Sequence, residues 1–192
     1  MRKIRMAQIG TSRHSHGREI FATFASMSDI FEIVGYALPE NERVLVSERM
    51  DVFEGYREMS VEEILNDPTI EAVSVETEEK YLTKYAQMAA DAGKHIHMEK
   101  PGGISLEDFE KLIAQYDRPN TLFYLDPPYY ATEDYYEDVG FTTADHKRLC
   151  NALMNIKGKF LLSYNDCPEI RQLHCQTGIM IESTTRINNI AQ

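Results

Sequence analysis

The sequence predicts an α/β fold, a mostly parallel sheet flanked by helices. Short apolar runs alternate with amphipathic stretches along the whole chain, the pattern of strands joined by crossover helices. Many of the runs stop at turn-forming residues, among them Gly10, Pro39 and Pro101-Gly102-Gly103. With 192 residues, 43% hydrophobic and 27% charged, the chain is large enough for a real core without disulfide or metal staples. Its net charge of −11 excludes the basic body of a protein that grips nucleic acid unaided. No apolar run reaches membrane-spanning length, and the start MRKIRMAQIG reads as a strand rather than a secretory leader. Cys150, Cys167 and Cys175 lack Cys-x-x-Cys spacing, so free thiols in a cytoplasmic protein are expected.

Lys3 to Ile9 is the first strand. A Gly-bounded loop from Gly10 to Gly17 follows, then a helix with Ile20, Phe21, Phe24 and Met27 at helical spacing. Phe31 to Leu38 is the second strand. Short helices over Glu42 to Met50 and Val61 to Asn66 flank a weak extended piece near Tyr56. Glu71 to Glu76 is a buried-type strand. Tyr81 to Ala92 is a helix with Leu82, Tyr85, Met88 and Ala89 on one face and Gly93 as its C-terminal cap. After the strand His95 to Met98, Ser105 caps a helix to Gln115, with Asp108 completing a capping-box-like pattern. Beyond it the pattern gives a strand (Thr121 to Leu125), an acidic tyrosine-rich loop (Ala131 to Gly140) and a helix (Thr143 to Ile156). A strand (Phe160 to Tyr164), a short helix (Pro168 to Cys175) and a last strand (Ile179 to Glu182) complete it.

The strand, loop and helix at the N-terminus form a Rossmann-like arrangement, which presents backbone N–H groups and a helix dipole to a pyrophosphate. Gly10, Thr11, Ser12 and Gly17 are the candidate contacts. The loop lacks the central glycine of Gly-x-Gly-x-x-Gly. Leu38 stands where an acidic residue would bind a ribose, and Glu40 follows two residues on. Further along, Ala92-Gly93-Lys94-His95 leads through a short strand into Glu99-Lys100-Pro101. This run resembles the Gfo/Idh/MocA family of NAD(P)-dependent sugar and inositol oxidoreductases, over Met1 to Gln115. The resemblance implies NAD or NADP as cofactor, with Glu40 and Glu99 among its contacts and Lys100 beside the nicotinamide, positioning substrate or relaying its proton. A lysine at a strand's carboxyl edge suits such work, because partial burial lowers its pKa. The family's Pro and His after the fourth strand are replaced here by Glu78 and Leu82, and its substrate domain is absent.

Asp126-Pro127-Pro128-Tyr129 closes an apolar strand. Methylating an exocyclic amino group needs acceptors for its N–H bonds. The Asp126 carboxylate and the Pro127 carbonyl can provide them, two prolines fix the backbone, and Tyr129 offers a face for a flipped-out base. The stretch from Tyr116 to Gln192 resembles Dam-type adenine-specific DNA methyltransferases. That resemblance implies Asp126, Pro127, Pro128 and Tyr129 as catalytic residues, S-adenosylmethionine as methyl donor and DNA as partner, with Asn165 and Asp166 of Phe160–Asp166 near the site. The family's Phe-x-Gly-x-Gly donor loop and DNA-recognition region do not occur in the sequence.

Two family fragments are thus expected, a nucleotide-binding domain over residues 1–115 and a partial methyltransferase catalytic region over 116–192, sharing one continuous sheet. The expected function is adenine-specific DNA methylation, incomplete without a partner chain that supplies the missing segments. The alternatives are an NAD(P)-dependent oxidoreductase fragment and an inactive fusion or truncated product. His14 with His16 and His95 with His97 alternate, but no further ligand is tied to them by spacing, and no metal site is assigned.

Overall fold

A computed structural model describes residues 2–100, 102–131, 141–175 and 179–185, with the side chains of residues 47–49 and 175 excepted. Pro101, the Tyr135-Tyr136 pair and the final Asn188 to Gln192 lie outside the described residues. The chain divides into two compact units, Met1–Asp117 and Arg118–Gln192. Among the described residues no helix is long and apolar enough to cross a membrane.

The first unit runs β1 (Ile4–Ile9), α1 (Gly17–Ser26), β2 (Phe31–Ala37), α2 (Glu42–Leu45), α3 (Val61–Asn66), β3 (Ala72–Val75), α4 (Glu79–Asp91), β4 (His95–Met98) and α5 (Leu106–Tyr116). Its four strands are all parallel, in the order β2-β1-β3-β4. The chain therefore steps from β2 across β1 to β3, and a ligand-binding crevice belongs at this reversal, outside the carboxyl ends of the strands. The four residues Met6 to Ile9 of β1 are all buried, as a parallel strand covered on both faces requires. On one face Ile9, Val73 and Val75 pack with Ile64, Leu82, Tyr85 and Ala89. Phe21 of α1 meets Tyr36 and Phe53 in a second, aromatic cluster.

The weak extended piece near Tyr56 becomes a single parallel bridge, from Glu58 to Tyr36 of β2. The helix expected over Glu42 to Met50 breaks at Val46, which is buried with φ −125°. A tighter 3-10 segment, Ser47–Phe53, follows it. Of the expected face of α1, Phe21 is buried, while Met27 caps the helix and is exposed. α3 carries a reciprocal cap that the sequence reading did not single out: Glu63 N donates to Ser60 Oγ at 3.0 Å and Ser60 N to Glu63 Oε2 at 2.7 Å.

The second unit holds β5 (Leu122–Leu125), α6 (Thr143–Met154), β6 (Lys159–Leu162) and α7 (Pro168–Cys175). β5 and β6 are parallel and form their own two-stranded sheet, which corrects the expectation of one continuous sheet. Leu149, Cys150 and Leu153 of α6 and Ile170 of α7 are buried. One face of this sheet stays open: Leu122, Tyr124 and Leu161 are 69%, 66% and 60% exposed. The strand expected over Ile179 to Glu182 does not form. Met180 is 84% exposed there, and no ladder pairs the segment.

Candidate functional site

The loop between β1 and α1 is held by the chain's own groups. Gly10 turns at φ +88°, with its N–H on the Ala37 carbonyl at 2.8 Å. Gln8, buried in β1, donates through Nε2 to the carbonyls of Gly10 (2.8 Å) and Gly17 (3.1 Å), which ties both ends of the loop together. Ser12 N donates to the Glu76 carbonyl at 2.8 Å and Thr11 N to Glu42 Oε2 at 2.9 Å. Ser15 Oγ accepts from Gly17 N at 3.1 Å. Glu99, at the end of β4, accepts from His16 N at 2.9 Å through Oε2 and from Lys100 N at 2.9 Å through Oε1. The structure thus brings Gly10, Thr11, Ser12, Gly17 and Glu99 together around the start of α1. Arg13 and His14 are exposed at the loop's tip.

Two buried carboxyls beside this loop escaped the sequence reading. Glu42 is fully buried, with Oε1 unpartnered, and burial pushes its pKa up to about 7 against the N–H groups of Thr11 and Glu78. Glu76 is also fully buried. Its Oε1 accepts from Ser74 Oγ at 2.7 Å and lies 3.2 Å from His97 Nδ1, and burial raises its pKa. Nothing in the local pattern marks Glu42. Glu76 ends an apolar strand, and an acid in that place was the available signal.

The raised Glu42 pKa has a direct consequence for stability. The folded chain holds this proton more tightly than the unfolded chain, whose pKa lies near 4.5. The resulting stabilisation is present in full below about pH 4.5 and is lost as pH rises toward about 7, on the order of 3 kcal/mol in all. Urea unfolding of Glu42→Gln across this window is expected to show a visibly flatter pH profile than the parent. Parallel profiles would remove Glu42 as the titrating group.

Glu40, an expected cofactor contact, meets two side chains of α4. Lys84 Nζ lies 2.6 Å and the Tyr85 hydroxyl 2.7 Å from its Oε1, and the hydrogen bond from Lys84 holds its pKa down. Lys100 is exposed, so the partial burial expected to tune it is not found. His16 and His97 each face a glutamate, at 3.2 Å in both cases. Among the described residues no three His, Cys, Asp or Glu side chains gather around a metal position.

In the second unit the Asp-Pro-Pro-Tyr turn leaves β5 beside the end of β6. Pro128 is buried, while Asp126, Pro127 and Tyr129 are half-buried. The Ser163 hydroxyl donates to Asp126 Oδ1, and Ser163 N to the Leu125 carbonyl at 3.0 Å. Asn165 clamps the following residue from both sides: Tyr130 N donates to its Oδ1 and its Nδ2 donates to the Tyr130 carbonyl, both at 3.0 Å. Asp166 instead pairs with Arg171, which holds its pKa low. Tyr129 stands 6.4 Å from the Tyr164 ring, whose hydroxyl is 2.7 Å from His146 Nδ1. Ser163 is the residue here that the sequence reading passed over. Below, Cys150 Sγ lies 3.6 Å from His174 Nδ1. Burial raises the thiol and lowers the imidazole, which disfavours a thiolate–imidazolium pair.

The family model for the NAD-binding Rossmann fold of the oxidoreductase family matches residues 4–125. The model for the D12 class of N6 adenine-specific DNA methyltransferases matches residues 73–187, so residues 73–125 are matched by both. An uncharacterized oxidoreductase of Rhizobium meliloti is 42% identical over 59 residues, 31% of this chain and 18% of the relative. The 1,5-anhydro-D-fructose reductase of Ensifer adhaerens is 39% identical over 55 residues, 29% of this chain and 16% of the relative. The chain thus spans less than a fifth of these relatives. Among solved structures, the WlbA dehydrogenase of Bordetella pertussis, in complex with NADH and UDP-GlcNAcA, shares the fold at TM-score 0.50 and 23% identity. That match covers 59% of this chain and 33% of the dehydrogenase. The myo-inositol dehydrogenase of Lactobacillus casei, in complex with NAD(H) and myo-inositol, does so at TM-score 0.50 and 21% identity, over 60% of this chain and 33% of its own. The chain belongs to the NAD-binding Rossmann oxidoreductase family through residues 4–125 and to the D12 class N6 adenine-specific DNA methyltransferases through residues 73–187.

Proposed function

We propose that the chain works first as a dinucleotide-binding module of the oxidoreductase type, taking NAD(H) or NADP(H) weakly. The observation that carries this reading is the Gly10–Gly17 loop at the carboxyl end of β1, where the strand order reverses. Gly10 makes the turn, α1 begins beyond the loop, and exposed Arg13 and His14 offer a cation and ring nitrogens to a pyrophosphate. Thr11 and Ser12 shape the loop rather than bind, since their amides are already held by Glu42 and the Glu76 carbonyl. The nicotinamide supplies hydride acceptance or donation when bound. Lys100, exposed at the end of β4, is then the chain's own group for holding or passing a substrate proton. Calorimetric titration is expected to give weak, saturable binding of NADH or NADPH and none of S-adenosylmethionine. Saturable S-adenosylmethionine binding without dinucleotide binding would overturn the assignment.

A second reading is favoured by the brace around Asp126. Ser163 on its carboxylate and Asn165 on the Tyr130 backbone support a fixed pair of acceptors, Asp126 and the Pro127 carbonyl. On this reading they receive the amino group of a target adenine in DNA, with Tyr129 under the base. S-adenosylmethionine would supply the methyl group. No Phe-x-Gly-x-Gly loop to hold it occurs among these residues, so on this reading the donor site is built by groups outside them.

A further inference from the structure

Six consecutive or near-consecutive amides open the first unit's site, at Thr11, Ser12, His14, Ser15, His16 and Gly17, and each already has an acceptor from the chain itself. Four of these acceptors come from the loop or from buried groups packed under it. Ser12 Oγ takes His14 N, the Ser12 carbonyl takes Ser15 N, Ser15 Oγ takes Gly17 N, and the Glu76 carbonyl takes Ser12 N. Two acceptors are carboxylates. Glu42 is locked in the core, but Glu99 is not: it arrives from the end of β4, 83 residues away in sequence, and its side chain keeps 11% of its surface exposed. Its Oε2 sits on the His16 amide at 2.9 Å and 3.2 Å from His16 Nδ1, immediately before the first residue of α1. A carboxylate in this place receives what a phosphate would receive, an N–H and the positive end of a ten-residue helix.

We infer that Glu99 is a built-in competitor for the anion position at the start of α1, so that a phosphate-bearing ligand binds by displacing it from the His16 amide. The inference rests on the dinucleotide reading and reverses the role that the family resemblance implies for Glu99. A glutamate that contacts the cofactor strengthens binding. A glutamate that holds the cofactor's place weakens it, both by occupying the donor and by repelling the incoming negative charge. The two roles differ in sign, so one substitution separates them. In Glu99→Gln the side chain keeps its size and a carbonyl acceptor but loses the charge. In Glu99→Ala the amide is released altogether.

The test is titration of the parent, E99Q and Glu99→Ala with NADH and, separately, with inorganic pyrophosphate, read by calorimetry and by the 15N-resolved amide signal of His16. Both variants are expected to bind NADH about tenfold more tightly than the parent, the step between a charge-assisted and a neutral hydrogen bond. The His16 amide is expected to move at a correspondingly lower pyrophosphate concentration. Equal or weaker NADH binding by the variants overturns the inference. If no form binds NADH, the dinucleotide reading fails by itself, and the pyrophosphate arm decides. A His16 signal that moves earlier in the variants upholds the competitor role, and one that never moves, or moves alike in all three, ends it. Unchanged thermal unfolding of E99Q keeps misfolding out of the comparison.

Discussion

Asp126→Ala is expected to abolish methyl transfer to adenine while leaving DNA affinity nearly unchanged, once donor binding is supplied in trans by a chain carrying a Phe-x-Gly-x-Gly loop. Asp126 acts on the amino group in the transition state and touches no phosphate on the methyltransferase reading, so its loss belongs in turnover. Removing an oriented group of this kind costs about 3–4 kcal/mol, or roughly 100- to 1000-fold in rate, by analogy with oxyanion-hole deletions. The Ser163 hydroxyl on Asp126 Oδ1 helps to orient the carboxylate, which makes the effect a loss of a placed group rather than of a loose one. Tyr129→Ala falls instead on capture of the flipped base, where stacking contributes ~1–3 kcal/mol. Radiolabelled methyl transfer to adenine-containing duplexes measures both. Equal rates for the parent and Asp126→Ala would leave Asp-Pro-Pro-Tyr as a strand-ending turn and nothing more.

Gly10→Ala is expected to destabilise the first unit by about 2–5 kcal/mol, from a disfavoured backbone conformation plus overpacking. The residue sits at φ +88°, and an added Cβ would stand 2.7 Å from the Thr77 amide nitrogen and 2.8 Å from its Cα. These neighbours are backbone, so they cannot swing aside. Thr77→Ala in the same chain should therefore restore little, although it removes the nearest methyl. Thermal unfolding followed by circular dichroism should show a fall of more than about 10 °C, given the usual relation between stability and midpoint for a domain of this size. An unchanged midpoint, or full rescue by Thr77→Ala, would mean that the turn at Gly10 is looser than its contacts require.

Much of this architecture could be read from the residues, and the parts that could not share a cause. Periodicity located every strand of the first sheet and the long helix α4, because Ile9, Val73, Val75 and Leu82 are buried for simple reasons of apolar spacing. Asp-Pro-Pro-Tyr and Glu-Lys-Pro could be found because their chemistry is written in adjacent letters. Glu42 and Glu76 could not, since what matters about them is that distant segments close over a carboxyl, and no local pattern encodes that. Ser163 was hidden similarly: it lies on β6's end, yet its role comes from the parallel pairing that sets it beside Asp126. The expected last strand failed for the converse reason. Ile179 to Glu182 has strand-like letters, but a strand exists only through a partner, and Met180 and Ile181 face solvent instead.

The open face of the β5–β6 sheet bears on how the protein breathes. In the first unit Met6 to Ile9 of β1 are paired with a strand on each side and are themselves buried. In the second, two strands share a single ladder, and Leu122, Tyr124 and Leu161 leave one side of it wet. Local opening there exposes little additional apolar surface, so it costs little free energy. Amide protons of β5 and β6 should consequently trade with deuterium well before those of β1 and β3. The Asp-Pro-Pro-Tyr turn is thereby mounted on the less protected of the two sheets, and any partner that covers this face would slow its exchange as well as shield it.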